Sequence, residues 1–230
     1  MKSVCLNKIC IMDAQLKLEL CFLVVVLILA RISYLIHKIT TGFSRYSPKR
    51  TVPCKTVICM GSGGHTTEML VLLDTINFKN YVPRYYIIAN SDITSFKKVE
   101  TFEKNRNFQL NKDYFIVTIP RSRSVGQSYI SSIQTTLYAI FYSIPIVFKL
   151  RPDLVLCNGP GTCIPICILS FLLKCAFICD TKIVFIESYC RTENISLTGK
   201  ILLYIADNFI VQWPNLKSKF KRTEYIGQLM

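Results

Sequence analysis

The stretch TVICMGSGGHTTEML, residues 56–70, decides the fold. Five β-rich residues, 56–60, run into a glycine-rich turn, and the pattern from there to about residue 74 is helical. A strand, a glycine turn and a helix open a βαβ unit. Outward from it the alternation repeats. Strand-like runs fall at 85–89, 114–119, 153–157, 182–186 and 208–212. Helical segments fall at 94–104, at 125–149 with a bend or break near Pro145, at 162–178 and at 196–206. Runs such as LVLC (154–157) and IVFI (183–186) are apolar without alternation, as in strands covered on both faces. The pattern predicts an α/β chain: one Rossmann-like domain with a doubly wound parallel sheet over residues 56–230, its ligands gathered at the carboxyl ends of the strands.

Upstream lies a different kind of segment. Residues 20–30, LCFLVVVLILA, are unbroken apolar sequence, and the window 18–36 is interrupted only by Glu19, Arg31 and Ser33. About 20 apolar residues span a bilayer core as a helix, and Arg31 near one end is able to snorkel. A cleaved signal peptide is the rival reading; Ala30 suits its last position, but Ile28 is a poor residue two places earlier. Residues 31–55 carry Arg31, Lys38, Arg45, Lys49, Arg50 and Lys55 and no acid. That basic flank predicts a single N-terminal pass with the main domain in the cytosol. Residues 1–55 are thus read as membrane anchor and basic juxtamembrane linker.

The net charge of the 230-residue chain is +14, half of it within residues 1–55. With 51% hydrophobic residues, disorder is excluded. A basic cluster beside an apolar span points to an anionic membrane surface or a phosphorylated ligand. Nucleic acid is not an expected partner, because aromatic residues do not interleave with the charge. Eleven cysteines, an odd number set mostly in apolar runs, read as small buried side chains in a reducing compartment. Cys163 and Cys167, like Cys175 and Cys179, are four apart with no histidine beside them, so no metal site is expected. The apolar run 163–179 reads as a buried crossover helix, with shallow membrane contact as the second option. The sequon at Asn194 is silent in a cytosolic domain, so a glycan there would refute the predicted topology.

Four turns stand where ligands gather. The first holds Gly61, Ser62, Gly63, Gly64, His65, Thr66 and Glu68. Glycines let backbone N–H groups approach a phosphate at a helix N-terminus. Thr66 occupies the third glycine position of a dinucleotide fingerprint, which makes a nucleotide-dependent oxidoreductase a poor fit, and no lysine follows as in a P-loop. His65 is either a general base for a hydroxyl or a structural cap of the helix. The second turn carries Arg121 and Arg123, which suit a diphosphate or form a solvated basic loop. The third, Asn158, Gly159, Pro160, Gly161 and Thr162, is another ligand cradle or a purely conformational turn. The fourth opens with Glu187 after an apolar strand. It accepts a sugar hydroxyl, orients His65, or caps a helix.

In their order and spacing, GSGGH after the first strand, RPD before the fourth, NGPGT after it and the glutamate closing the fifth resemble the N-terminal half of a GT-B glycosyltransferase of the MurG kind. The basic-flanked anchor together with GSGGHTTEML, RSRSVGQS and an end soon after Trp213-Pro214 is similar to the membrane-anchoring subunits of eukaryotic dolichol-pathway N-acetylglucosaminyltransferases. The resemblance covers about residues 20–230. It implies half of a split enzyme at the cytosolic face of the endoplasmic reticulum. Its partners would be a soluble donor-binding catalytic subunit, the dolichol-linked acceptor in the membrane, and the preceding enzyme of the pathway. No cofactor is implied; the substrates would be UDP-GlcNAc and GlcNAc-diphosphate-dolichol. Gly61, Ser62, Gly63, Gly64, Thr66, Arg121, Arg123, Asn158, Gly159 and Gly161 would hold the acceptor diphosphate, with His65 as base and Glu187 in the same cleft. A non-catalytic membrane recruiter is the alternative. The basic tail, 217–230, is expected to dock the partner. Glu68 departs from the bacterial enzymes.

Overall fold

A computed structural model describes residues 2–42, 50–124 and 126–228, the side chains of residues 2–14 and Tyr129 excepted. Helix α1 (Lys2–Thr40) comes first, then β1 (Thr56–Cys59), α2 (Gly64–Asp74), β2 (Arg84–Ala89), α3 (Ile93–Lys104), β3 (Tyr114–Ile119) and α4 (Tyr129–Leu150). The chain continues with β4 (Leu154–Asn158), α5 (Cys163–Cys175), β5 (Lys182–Ile186), α6 (Leu197–Leu202), β6 (Asn208–Val211), α7 (Pro214–Lys219) and β7 (Glu224–Tyr225). All seven strands pair in parallel in the order β3-β2-β1-β4-β5-β6-β7. This is the doubly wound arrangement. Its order reverses between β1 and β4, so the turns that leave these two strands open side by side.

The sheet is covered on both faces. Met69, Leu73 and Val99, from α2 and α3, pack with Ile58, Tyr86 and Ile88. Cys163, Ile166 and Phe171 of α5 pack with Val57, Val155 and Phe185 on the other face. This explains the unalternated strands, since every residue of β1 is buried. Beneath the first face, Arg84 donates to both carboxylate oxygens of Glu103 (2.7 and 2.8 Å) and Tyr86 donates to Oε1 (2.6 Å), all fully buried. A buried pair is tolerated when its remaining polar atoms are satisfied in this way.

Within α1, residues 15–40 are long and apolar enough to cross a membrane, as expected for an anchor. The helix does not end as an independent stalk, however. Leu35 and Ile39 are buried in the α5 face of the core, and Arg31 lies 4.0 Å over the ring of Phe177. The domain therefore takes in the last two turns of α1. Arg45 and Lys49 of the predicted basic linker lie outside the described residues.

Two apolar helices end up in opposite surroundings. α5 has 13 residues, too few to span a bilayer, and nine of them are buried; the apolar run at 163–179 is a core crossover. α4 has 22 residues and passes unbroken through Pro145. It starts at Tyr129 rather than at Val125, which lies outside the described residues. Ser128 starts it by accepting from the Ser131 N–H. α4 is also long and apolar enough to cross a membrane, yet Ile133, Leu137, Phe141 and Phe148 are exposed. The basic tail is not a loose end through residue 225. α7 and β7 fold it onto the β6 edge, and Arg222 donates to the carbonyls of Ala206 and Ile39, fastening the tail to the anchor helix.

Candidate functional site

A cavity of about 820 Å³ opens at the carboxyl ends of β1 and β4. Its polar lining includes Gly61, Ser62, His65, Asp92, Arg121, Arg123 and Arg191. Its apolar lining includes Ile133 and Leu137 from α4, Ile164 and Ile168 from α5, Leu197 and Ile201 from α6. The lining is amphiphilic, combining arginines and backbone with aliphatic carbon.

His65 stands in the second position of α2, at the centre of this arrangement. Its Nδ1 is 3.0 Å from Asn158 Oδ1. The other end of that amide, Nδ2, donates to Glu68 Oε2 at 2.9 Å. Glu68 also accepts from Ser188 Oγ (2.9 Å) and from the Tyr189 N–H (3.4 Å), and is 7% exposed. The chain of contacts has one polarity. An ionised carboxylate only accepts, so it fixes which end of the Asn158 amide faces it. The amide oxygen must then face His65, and the histidine hydrogen must sit on Nδ1. In the neutral imidazole this tautomer leaves the lone pair on Nε2, the form a general base requires. The amide cannot pass a proton on, so Glu68 acts through Asn158 by orientation and charge alone.

The glycines of the two turns make room for this ring. A Cβ at Gly159, whose φ is +62°, would lie 2.6 Å from His65 Cε1, and one at Gly61 would lie 2.5 Å from His65 Cβ. Bare backbone of Gly159 thus faces the imidazole ring, and that of Gly61 faces the root of the same side chain.

Other predicted site residues are distributed unequally. Arg121 lines the cavity with its Nε buried and without a hydrogen-bond partner, a donor for an anionic ligand. Arg123 lines it too while donating to the Gln127 carbonyl at 3.2 Å. Gly159 and Gly161 form its wall. Gly63 is the N-cap of α2 with φ +61°, and Gly64 is that helix's first residue; neither lines the cavity. Thr66 is fully buried, donating to the Gly61 carbonyl (2.5 Å) and meeting Ser95 Oγ (2.6 Å), so its hydroxyl holds the turn and does not face a ligand. Asn158 is 2% exposed and is occupied by His65 and Glu68.

Glu187 needs the largest correction. It is fully buried and accepts from the N–H of Ser188 (3.1 Å), the N–H of Ser196 (2.8 Å) and Ser196 Oγ (3.1 Å). It pins the β5–α6 connection, which is the capping role, and the orientation of His65 falls to Asn158 and Glu68. Burial pushes its carboxyl above the ordinary 4.5, opposed by the two backbone N–H groups. The sequence reading did not assign Glu68, Ser188, Arg191 or the apolar wall to the site. Glu68 carried a signal, an acid three residues after a histidine in the first helical turn. The wall did not, because its residues come from three separate helices.

This fold and site define a Rossmann-type domain, joined to an apolar helix, with a histidine-centred amphiphilic cavity at the switch point of its sheet. The family described as "Oligosaccharide biosynthesis protein Alg14 like" matches residues 56–229, and the chain belongs to it. Relatives include the UDP-N-acetylglucosamine transferase subunit ALG14 of Rattus norvegicus, 48% identical over 76% of this chain and 82% of the relative. The protein of the same name from Yarrowia lipolytica is 39% identical over 90% of this chain and 95% of the relative. Among solved structures, Acinetobacter baumannii MurG aligns with a TM-score of 0.46 at 18% identity, covering 70% of this chain and 41% of MurG.

Proposed function

We propose that the chain is the membrane-anchored, acceptor-binding subunit of a two-chain transferase. The reaction moves N-acetylglucosamine from UDP-GlcNAc onto GlcNAc-diphosphate-dolichol at the cytosolic face of the endoplasmic reticulum, in the synthesis of the lipid-linked oligosaccharide for N-glycosylation. The observation that carries this reading is the amphiphilic cavity. A lipid-linked diphosphate is anionic at its head and hydrocarbon behind it, and the cavity lining offers both Arg121, Arg123 and Arg191 and the aliphatic Ile133, Leu137, Ile164 and Ile201. Arginine suits a diphosphate through paired N–H donors.

Each part then has a task. Arg121, Arg123 and the Gly61–Ser62 backbone hold the diphosphate. His65 Nε2 takes the proton from the acceptor sugar hydroxyl as that oxygen attacks the donor sugar, while Asn158 keeps the imidazole in the competent tautomer. The exposed apolar face of α4 lies against the bilayer, so that the lipid chain reaches the cavity past Ile133 and Leu137. A separate soluble chain brings the nucleotide-sugar site, recruited to this domain and docked on its C-terminal tail.

The test is to purify the full-length chain from membranes with its co-purifying chains and assay transfer from UDP-GlcNAc to a lipid-diphosphate-GlcNAc acceptor. Activity is expected only when the soluble partner is present. Product formed by this chain alone overturns the split-enzyme reading. Unchanged transfer by an intact His65→Ala complex would reduce the chain to a recruiter.

A further inference from the structure

Behind the NGPGT turn lies a group of side chains for which the transfer reaction has no use. Cys157 ends the apolar part of β4, Cys163 is the first residue of α5, and Cys167 sits one helical turn further on. All three are fully buried, and their sulfurs lie within 4.8 Å of one another, with Cys157 and Cys167 in contact at 3.3 Å. A fourth thiol neighbours Cys157 across the sheet. Cys59 is the register partner of Cys157 on the neighbouring strand, shares its side of the sheet and is also fully buried.

We propose that Cys157, Cys163 and Cys167, with Cys59 as the fourth ligand, form a thiolate site for a soft d¹⁰ metal ion, zinc foremost, that clamps both ends of the Asn158–Thr162 turn.

The geometry meets the demands of such a site. Sulfurs around an ion with metal–sulfur bonds of ~2.3 Å stand about 3.8–4.0 Å apart. The three sulfurs here all lie within 4.8 Å of one another, one pair of them at 3.3 Å, so small side-chain rotations suffice. The donor set is all sulfur with no carboxylate, which selects zinc or copper(I) over magnesium or calcium. The 13-residue α5 begins at Cys163, so the positive end of its helix dipole favours the negative charge that thiolates bring. Binding releases the thiol protons to solvent. The site lies next to the cavity: Pro160 lines the cavity, and its carbonyl accepts from Cys163 Sγ at 2.8 Å. The sequence concealed the site because its ligands come from two strands and a helix, and only Cys163 and Cys167 are close in sequence.

The clamp matters for position rather than chemistry. Asn158 follows Cys157 directly, and Asn158 orients His65. A metal that ties Cys157 to α5 fixes the backbone from which that amide extends.

The experiment uses the full-length chain purified in detergent without chelators, its metal content measured by mass spectrometry. We expect about one equivalent of zinc or copper per chain, a loss of roughly tenfold or more in the Cys163→Ser/Cys167→Ser double variant, and no change in Cys190→Ser, whose side chain is exposed. Wild-type protein with less than about a tenth of an equivalent, or equal metal in the double variant, overturns the proposal and leaves the thiols as core packing. If the double variant does not fold, wild-type protein answers the question. Stripping the metal under reducing conditions should lower Tm, and added zinc should restore it; an unchanged Tm after stripping overturns the site.

Discussion

The turns that leave β1 and β5 each hold a buried glutamate, and the two do opposite work. Glu68 is placed in the first turns of α2, where its carboxylate meets an amide, a hydroxyl and a backbone N–H from two other strand ends. Glu187 meets only its own connection, the backbone and hydroxyl that lead into α6. The first carboxylate reaches across the sheet's switch point toward a histidine. The second closes a loop upon itself. Burial of an acid therefore does not mark function; what matters is whether its partners belong to other elements that converge on a cavity.

The strongest way to break this comparison is to remove what Glu68 serves. His65→Ala should lower transfer by roughly 10²–10⁴-fold with complex formation intact, the usual contribution of a positioned base. The single-turnover rate of the purified complex measures it. A smaller but more telling effect belongs to Glu68→Gln. The variant side chain is neutral and able to donate, so it no longer dictates which end of the Asn158 amide faces His65. Transfer should fall by about ten- to a hundredfold, the ~1–3 kcal/mol of a lost hydrogen bond to a charged group. The loss should appear in kcat, with acceptor KM little changed. Equal rates for Glu68→Gln and wild type would show that the relay is only structural.

The fold was largely legible because doubly wound sheets advertise themselves through apolar strands that do not alternate. All six long strands fall where the sequence places them. β7 was missed because two residues at a sheet edge carry no periodicity of their own. The site was legible in its turns but not in its roles. Gly61 and Gly159 look in sequence like openings for phosphate, whereas Gly159 makes room for the His65 ring and Gly61 for its Cβ. Such a close approach depends on β1 and β4 being neighbours, 93 residues apart for His65 and Asn158, and no local pattern records it. The same holds for Glu187, whose capping role follows from the path of residues 188–196. Gly159→Ala sharpens the point. Its methyl group would lie 2.6 Å from His65 Cε1, on a residue at φ +62°, so the ring must turn away and the backbone is strained by ~1–2 kcal/mol. Transfer should drop nearly as far as in Glu68→Gln, with a lower Tm, which Glu68→Gln need not share.

α4 allows an intermediate effect to be tested. Leu137 is 49% exposed yet lines the cavity. Leu137→Glu removes apolar surface at the proposed lipid entrance and adds charge on the membrane side. The variant should raise KM for a long-chain lipid-diphosphate acceptor several-fold, roughly the 1–3 kcal/mol of one aliphatic side chain, while leaving KM for a short-chain acceptor near wild type. An equal rise for both acceptors would remove α4 from the lipid path.

The smallest effect falls on the other glutamate, and its sign follows from burial. The Glu187 carboxyl is held above its ordinary 4.5 by desolvation. Between 4.5 and that raised value the folded chain binds more protons at this site than the unfolded chain. The slope of unfolding free energy against pH is then negative, so the stabilisation from this group is fully present below 4.5 and is lost as pH rises through the folded value. Glu187→Gln cannot titrate. The Tm difference, wild type minus variant, should therefore decline as pH rises above 4.5 and level off once the native carboxyl is ionised. Transfer by the variant should stay near wild type, since the side chain faces the β5–α6 connection and not the cavity. A large loss of transfer with an unchanged melting profile would place Glu187 in the chemistry and erase the distinction between the two acids.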